Sequence, residues 1–235
     1  MPYFFQEDLS QEFFTLSSEE SKHISKSLRL AEGNFIWFTD GKGTLAKAVL
    51  TNVLKDSCTA RVTERIFHDI FTTKKLHLAV APTKNPDRME WLVEKAVEIG
   101  VSQITFIICN RSERKNVDLN RLHRIAVAAL KQSQGTWLPE LKTLSFSQFI
   151  NEYSTIHADK FIAYCDDKDL SIKITDLTYQ YKDAIFVIGP EGDFTPQEVH
   201  LAKENGFQQI SLGNKILRTE TAALFVACRA QVLLF

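Results

Sequence analysis

The stretch 185–198 limits what this chain can fold into more than any other. Ile185-Phe186-Val187-Ile188 is a short β-branched and aromatic run, cut off at once by Gly189-Pro190-Glu191-Gly192-Asp193-Phe194, which reads as a buried strand with an abrupt end. Thr195 with Glu198 three residues on forms a capping box, and Pro196 takes the first helical position, where its missing N–H costs nothing. The order is strand, glycine loop, helix N-terminus. Ligands bind at such junctions in open α/β sheets, because backbone N–H groups and the positive helix end converge beyond the strand's carboxyl edge; an ordinary tight βα turn reads the same way from the loop alone. A second unit of this kind follows: Ile210-Ser211-Leu212-Gly213 as a short strand, then Asn214 to Ala223 running from a turn into the last helix.

Around these units the periods alternate between strand and helix. Leu76 to Ala81, Ile104 to Cys109 and Phe161 to Cys165 read as further buried strands. Between the first two, Asn85-Pro86-Asp87 supplies an N-cap, a Pro at N1 and a carboxylate at the positive helix end. Met89, Leu92, Val93, Ala96 and Val97 then recur at helical spacing before Gly100 closes the helix. Strands alternating with helices predict a mostly parallel sheet covered on both faces, an α/β domain over residues 73–235. Residues 1–72 differ. Phe35 to Phe38, Ala46 to Val53 and Thr59 to Phe67 are strand runs, with a hairpin at Asp40-Gly41, and predict a small β-barrel. A capped helix beginning at Ser18-Glu19-Glu20 precedes them and turns at Gly33.

Composition narrows the chemistry. A net charge of −1 over 235 residues gives no overall attraction to nucleic acid or to an acidic membrane surface. Locally the balance differs: between Arg111 and Lys131 stand Arg111, Arg114, Lys115, Arg121, Arg124 and Lys131, against Glu113 and Asp118. With Leu122, Ile125, Ala126, Ala129 and Leu130 facing inward, these charges line a helix's outer side, which is a solvated face or a phosphate-binding one. Cys58, Cys109, Cys165 and Cys228 are far apart and have no ligand-spaced His, so neither a metal site nor a disulfide framework is expected. No apolar run reaches the roughly 20 residues of a membrane span, and the N-terminal residues lack a signal peptide's pattern. A cytoplasmic protein with reduced, mostly buried thiols is expected.

GPEG...F at Gly189 to Phe194, followed by LGNKILRTETA at Leu212 to Ala222, resembles the paired loops of the SPOUT class of S-adenosylmethionine methyltransferases, and specifically the RsmE family, which methylates N3 of a uridine in 16S ribosomal RNA. His23 to Leu30 resembles the family's H...VLR segment, with Ser27 in place of Val, and Asn110 to Lys115 its RS..(K/R) motif. The resemblance implies a PUA-like RNA-binding domain at 1–72 and a SPOUT domain at 73–235 whose C-terminal helix threads a trefoil knot. It also implies a homodimer acting on 16S ribosomal RNA within the small ribosomal subunit. S-adenosyl-L-methionine would be held by Ile188, Gly189, Pro190, Glu191, Gly192, Leu212, Gly213, Ile216, Leu217, Thr221 and Ala222. The RNA would be held by Lys26, Arg29, Arg111, Arg114, Lys115, Arg121 and Arg124. Two departures stand out: Gln134-Gly135 follows Gln132-Ser133 where the family has an Arg, and Asp193 replaces a second glycine.

Methyl transfer to uracil N3 needs donor and acceptor in line at about 3 to 3.5 Å and a base that has lost its N3 proton. Arg111 and Arg218 are the candidates for stabilising the charge on O2 and O4. Glu220, or alternatively Glu191, is the candidate proton acceptor, each also readable as a helix-start carboxylate. The competing readings are a SPOUT enzyme acting on another RNA nucleotide and a non-catalytic RNA-binding factor of the same fold.

Overall fold

The computed structural model describes residues 3–69, 75–164 and 171–234. Two compact units divide the chain: residues 1–72 with 127–138, and residues 73–126 with 139–235.

The first unit carries β1 (Phe4–Phe5), β2 (Phe13–Thr15), α1 (Ser18–Lys22), β3 (Phe35–Thr39), β4 (Thr44–Val53) and β5 (Cys58–Phe67). They form a five-stranded sheet in the order β1-β3-β4-β5-β2, antiparallel except for β1 beside β3. It curls around Ile24, Ile36, Phe38, Ala46, Ala48, Leu50, Ala60 and Val62. The expected barrel is thus a curled sheet with two edges, because β1 and β2 contribute only two and three residues. The hairpin falls where predicted. Asp40 Oδ1 accepts the N–H groups of Lys42 (2.7 Å) and Thr44 (3.0 Å), and Gly43 sits at φ 98°, where a Cβ would stand 2.5 Å from the Trp137 ring.

The capped helix begins at Ser18 as predicted, with Ser17 accepting the Glu20 N–H, but after Lys22 it widens into a π-helical turn over His23–Leu28 that ends at Arg29 in the left-handed region (φ 52°). Ile24 and Leu28, four apart, fit an α-turn and a π-turn alike, so periodicity could not separate them.

The second unit comprises β6 (Leu76–Val80), α2 (Pro86–Ile99), β7 (Gln103–Ile108), α3 (Leu119–Ser133, shared with the first unit), β8 (Glu140–Ser145), α4 (Phe146–Tyr153), β9 (Asp159–Ala163), β10 (Ile172–Lys173), β11 (Ala184–Ile188), α5 (Pro196–Glu204), β12 (Gln208–Ser211) and α6 (Thr219–Leu234). Its seven strands are all parallel, in the order β10-β12-β9-β11-β6-β7-β8. β11 lies between β6 and β9, with Ile188 opposite both Val80 and Ala163, and all five of its residues are buried. The α2 helix is as the sequence predicts: Asn85 Oδ1 accepts the Asp87 N–H, Gly100 is left-handed, and Met89, Leu92, Val93, Ala96 and Val97 are buried. Cys165, the expected end of β9, lies outside the described residues. The sequence reading omits β8 and α4, although Ser145-Phe146-Ser147-Gln148 forms a capping box. Among the described residues no helix is long and apolar enough to cross a membrane. Cys58 and Cys109 are buried, whereas Cys228 is exposed on α6.

Residues 127–138, predicted to belong wholly with the C-terminal domain, cluster instead with the first unit. Lys131 makes a 2.7 Å ion pair with Glu20, and Trp137 Nε1 donates to the His68 carbonyl at 2.7 Å. An apolar helix face carries no mark of which core it will join.

One buried histidine makes the core sensitive to acid. His77 on β6 packs against Phe149 and Tyr153, its Nε2 is 2.8 Å from Thr105 Oγ1, and its Nδ1 has no hydrogen-bond partner among the described residues. Burial, aided by the positive charge of Lys142, lowers its pKa to about 3. The unfolded chain takes up this proton near pH 6.5, so the contribution to stability is complete above that pH. It falls by about 1.4 kcal/mol per pH unit as the pH drops towards 3. The His77 ring resonances should accordingly not titrate between pH 8 and 5 in NMR; a midpoint near 6.5 would show the ring to be solvated.

Candidate active site

The carboxyl ends of β9, β11 and β12 meet around a cavity of about 550 Å³. Its wall on one side is the loop after β11, which the fold fixes at several points. Glycine suits position 189, where a Cβ would lie 3.0 Å from the buried Phe194 ring, closer than ordinary contact. The Asp193 N–H closes a turn onto the Pro190 carbonyl at 2.9 Å, which places Asp193 at φ 59° with its Oδ1 accepting the Phe194 N–H at 2.8 Å. Asp and Asn tolerate this left-handed conformation because their short side chains bond locally, so Asp193 can hold the turn without being glycine.

Two further segments anchor the loop from outside. Glu191 accepts the Lys84 N–H (3.0 Å). Arg111 Nη1 donates to the carbonyls of Gly192 (2.9 Å) and Phe194 (3.3 Å). Behind it the capping box at Thr195 and Glu198 forms as predicted, and the buried Glu198 carboxylate also accepts the Asn110 N–H (2.8 Å), tying the end of β7 to the start of α5. The thiol of Cys109 is pushed well above its ordinary range, first by burial and then by the charge of Glu198, so it is an inert core group.

The opposite wall is the loop between β12 and α6. Gly213 holds φ 116°, with open space where a Cβ would be. Thr219 Oγ1 donates to the Gly189 carbonyl at 3.0 Å and links the two loops directly. Ile216 lines the cavity with its apolar side chain 89% exposed.

Of the residues predicted to hold the cofactor, Ile188, Gly189, Pro190, Glu191, Gly192, Leu212, Gly213, Ile216, Leu217 and Ala222 all line this cavity, and Arg218 joins them. Thr221 does not: it is exposed and faces elsewhere. Glu220 is also outside the lining. It is 6% exposed, with Oε1 3.7 Å from Arg88 Nε and Oε2 without a hydrogen-bond partner among the described residues. Helical geometry accounts for both placements, since Thr219 and Ala222, three apart, share the cavity face while the two residues between them are turned away. Arg111 stands behind the loop as a brace, also outside the lining. The sequence reading missed Ala163, Tyr164, Ile210, Ser211, Lys215 and Thr219 as lining residues. The carboxyl-edge rule, applied to the strands at 161 and 210, would have found four of them.

Some of the basic set is committed to partners within the chain. Arg121 is held by Glu90 through two contacts of 2.7 and 3.0 Å, and Arg114 Nε donates to the Asn116 carbonyl. Lys115 and Arg124 are exposed and make no ion pair among the described residues, as do Lys26 and Arg29 in the first unit.

These loop contacts give a graded expectation. Asp193→Gly should leave stability within about 0.5 kcal/mol, whereas Asp193→Val should lose about 1–2 kcal/mol, since β-branching is poorly suited to a left-handed residue. Glu198→Ala should lose about 1–3 kcal/mol through the cap and the orphaned Asn110 N–H. Urea denaturation measures all three, and an Asp193→Val protein as stable as Asp193→Gly would contradict the loop geometry.

Comparison with known proteins agrees with this architecture. An RNA methyltransferase domain family matches residues 72–231, and an RNA methyltransferase PUA domain family matches residues 16–63. The ribosomal RNA small subunit methyltransferase E of Mesomycoplasma hyopneumoniae is 32% identical over 228 residues, covering 95% of this chain and 96% of that protein. The crystal structure of a probable rRNA-methyltransferase from Porphyromonas gingivalis is 34% identical with a TM-score of 0.89, covering 99% of this chain and 98% of that one. That of a ribosomal RNA small subunit methyltransferase E from Neisseria gonorrhoeae, bound to S-adenosyl methionine, is 28% identical with a TM-score of 0.82 over 99% of this chain and 98% of that one. With both families in chain order and relatives matched end to end, the chain belongs to the ribosomal RNA small subunit methyltransferase E family of RNA methyltransferases.

Proposed function

We propose that this chain uses S-adenosyl-L-methionine to methylate N3 of a uridine near the 3' end of 16S ribosomal RNA in the small ribosomal subunit, in the cytoplasm. The observation that carries the reading is the cavity at the carboxyl edge of β9, β11 and β12, walled by the two loops joined through Thr219 and Gly189. Its residues fit the cofactor. Ile188, Leu212, Leu217 and the exposed Ile216 offer flat apolar surface to an adenine, and the loops present backbone N–H and C=O groups to its edge. When bound, S-adenosylmethionine supplies the electrophilic methyl group.

The chain's own side chains supply the rest. Arg218 lines the cavity and is exposed, in place to stabilise charge on O2 and O4 of the uracil as its N3 proton leaves. Of the two carboxylates considered from sequence, Glu191 alone lines the cavity, and we assign it the proton. Glu220 acts as a positioning residue: paired with Arg88, it fixes the start of α6 against α2. Arg111 likewise acts by holding the Gly192 to Phe194 backbone. Lys26, Arg29, Arg114, Lys115 and Arg124 remain the phosphate contacts of this reading, while Arg121 is committed to Glu90.

The knot and the dimer belong to the same proposal. Ala222, Ala223, Ala227 and Ala230 are buried, which suits close packing of α6 beneath the loops in a trefoil. On the other side of α6, Phe225, Cys228 and Val232 form an exposed stripe, with Val232 78% exposed, and Trp91 is exposed on the adjoining α2. An apolar stripe on two packed helices suits a second copy of the chain.

The test is methyl incorporation into small subunits lacking the mark, read by nucleoside mass analysis. The native chain should yield 3-methyluridine, and Arg218→Ala should abolish it. Glu191→Gln keeps the acceptor for the Lys84 N–H and should lower kcat by roughly 10²-fold or more at unchanged cofactor affinity. Label on another nucleotide would change the substrate; no label and no cofactor binding would leave an RNA-binding factor. Phe225→Arg should sediment as a monomer, and a dimer in that variant would put the interface elsewhere.

A further inference from the structure

We propose that the outer face of the five-stranded sheet is a stacking platform for unpaired RNA bases, separate from the basic residues named above. Ile36, Phe38, Ala46, Ala48, Ala60 and Val62 point into the core, so strand alternation sends Phe35, Trp37, Lys47, Val49, Arg61 and Phe13 to the other face. The registers align them. Phe35 is opposite Val49, Val49 opposite Arg61, and Arg61 opposite Phe13, a single row across four strands, with Trp37 opposite Lys47 in the next.

This row is built unlike a solvated sheet face. Phe35 is 54% and Phe13 56% exposed, at opposite ends of the row, about 14 Å apart at three strand spacings. Lys47 pairs in register with Glu64 yet makes no ion pair with it; its ammonium lies instead 5.0 Å from the Phe35 ring centroid and 5.9 Å from that of Trp37. Between the two phenylalanines, Arg61 has no carboxylate within ion-pair distance among the described residues. The face thus offers three aromatic rings with two cations beside them and hydroxyls from Thr51 and Thr59 at its margin.

That chemistry selects its occupant. Aromatic faces stack on bases of any sequence, and only unpaired bases expose their faces; flanking Lys and Arg meet the phosphates between them. An acidic or apolar protein surface would use the cations or the rings, whereas single-stranded RNA uses both. The inference rests on RNA being the substrate and assigns the first unit to a single-stranded segment flanking the target uridine.

The experiment uses the full-length chain with a fluorescently labelled single-stranded RNA of mixed sequence and a duplex of the same length. The native chain should bind the single strand more tightly than the duplex. Phe13→Leu with Phe35→Leu, which keeps apolar bulk on the strands but removes the rings, should weaken single-strand binding by roughly tenfold per ring. Arg61→Gln should flatten the salt dependence. Unchanged far-ultraviolet circular dichroism and an unchanged urea midpoint in each variant verify the fold. Single-strand affinity equal to native in the double variant, or equal affinity of the native chain for duplex, would overturn the platform. So would loss of small-subunit binding with oligonucleotide binding intact, which would mark a protein contact. A native chain that binds single strands through these rings but yields no 3-methyluridine would instead overturn the methylation reading and leave the platform standing.

Discussion

The second unit depends on where β11 sits. It pairs on both sides, with β6 and with β9, and all its side chains are buried, so its five residues have no freedom to slide: a shift of one would turn every side chain to the opposite face. Its end is therefore fixed at Ile188, level with Val80 and Ala163. The glycine loop must begin there, and the end of β12, in register with β9, lies one strand further along the same edge. The cavity follows from this arrangement of strand ends before any ligand is considered.

What the strands position, polar anchors hold. Loops that bind ligands are ordinarily the least stable parts of a fold, yet the one after β11 is tied by Lys84, Arg111, Glu198 and Thr219. Such preorganisation matters for methyl transfer, where the protein's main contribution is alignment of two reactants. Arg111 is one of these anchors, its Nη1 donating to the Gly192 and Phe194 carbonyls, and Glu220 lies 3.7 Å from Arg88 at the start of α6.

Local signals in the sequence disclosed the frame well. Both glycine loops, the Thr195 capping box, the Asn85 cap of α2 and the Gly100 stop are chemical statements within a few residues, and each is found where it was expected. Tertiary choices were less legible. Nothing in the apolar face of α3 says that residues 127–138 join the first unit, and β1, β2 and β10 are too short to show a period. At the site, ten of the cofactor residues named from sequence line the cavity, because loops are contiguous in sequence. Glu220 and Thr221 do not, because which face a helical residue presents depends on how the helix is set down. Arg121 was equally invisible as a paired residue, since its partner Glu90 lies 31 positions away.

Amide hydrogen exchange with and without S-adenosylmethionine tests the account most directly. The two loops that wall the cavity should gain protection together, over residues 189–194 and 212–219, with little change at 154–160 on the opposite edge of the sheet. Protection confined to one loop, or appearing at the opposite edge, would contradict a pocket built from the ends of β9, β11 and β12.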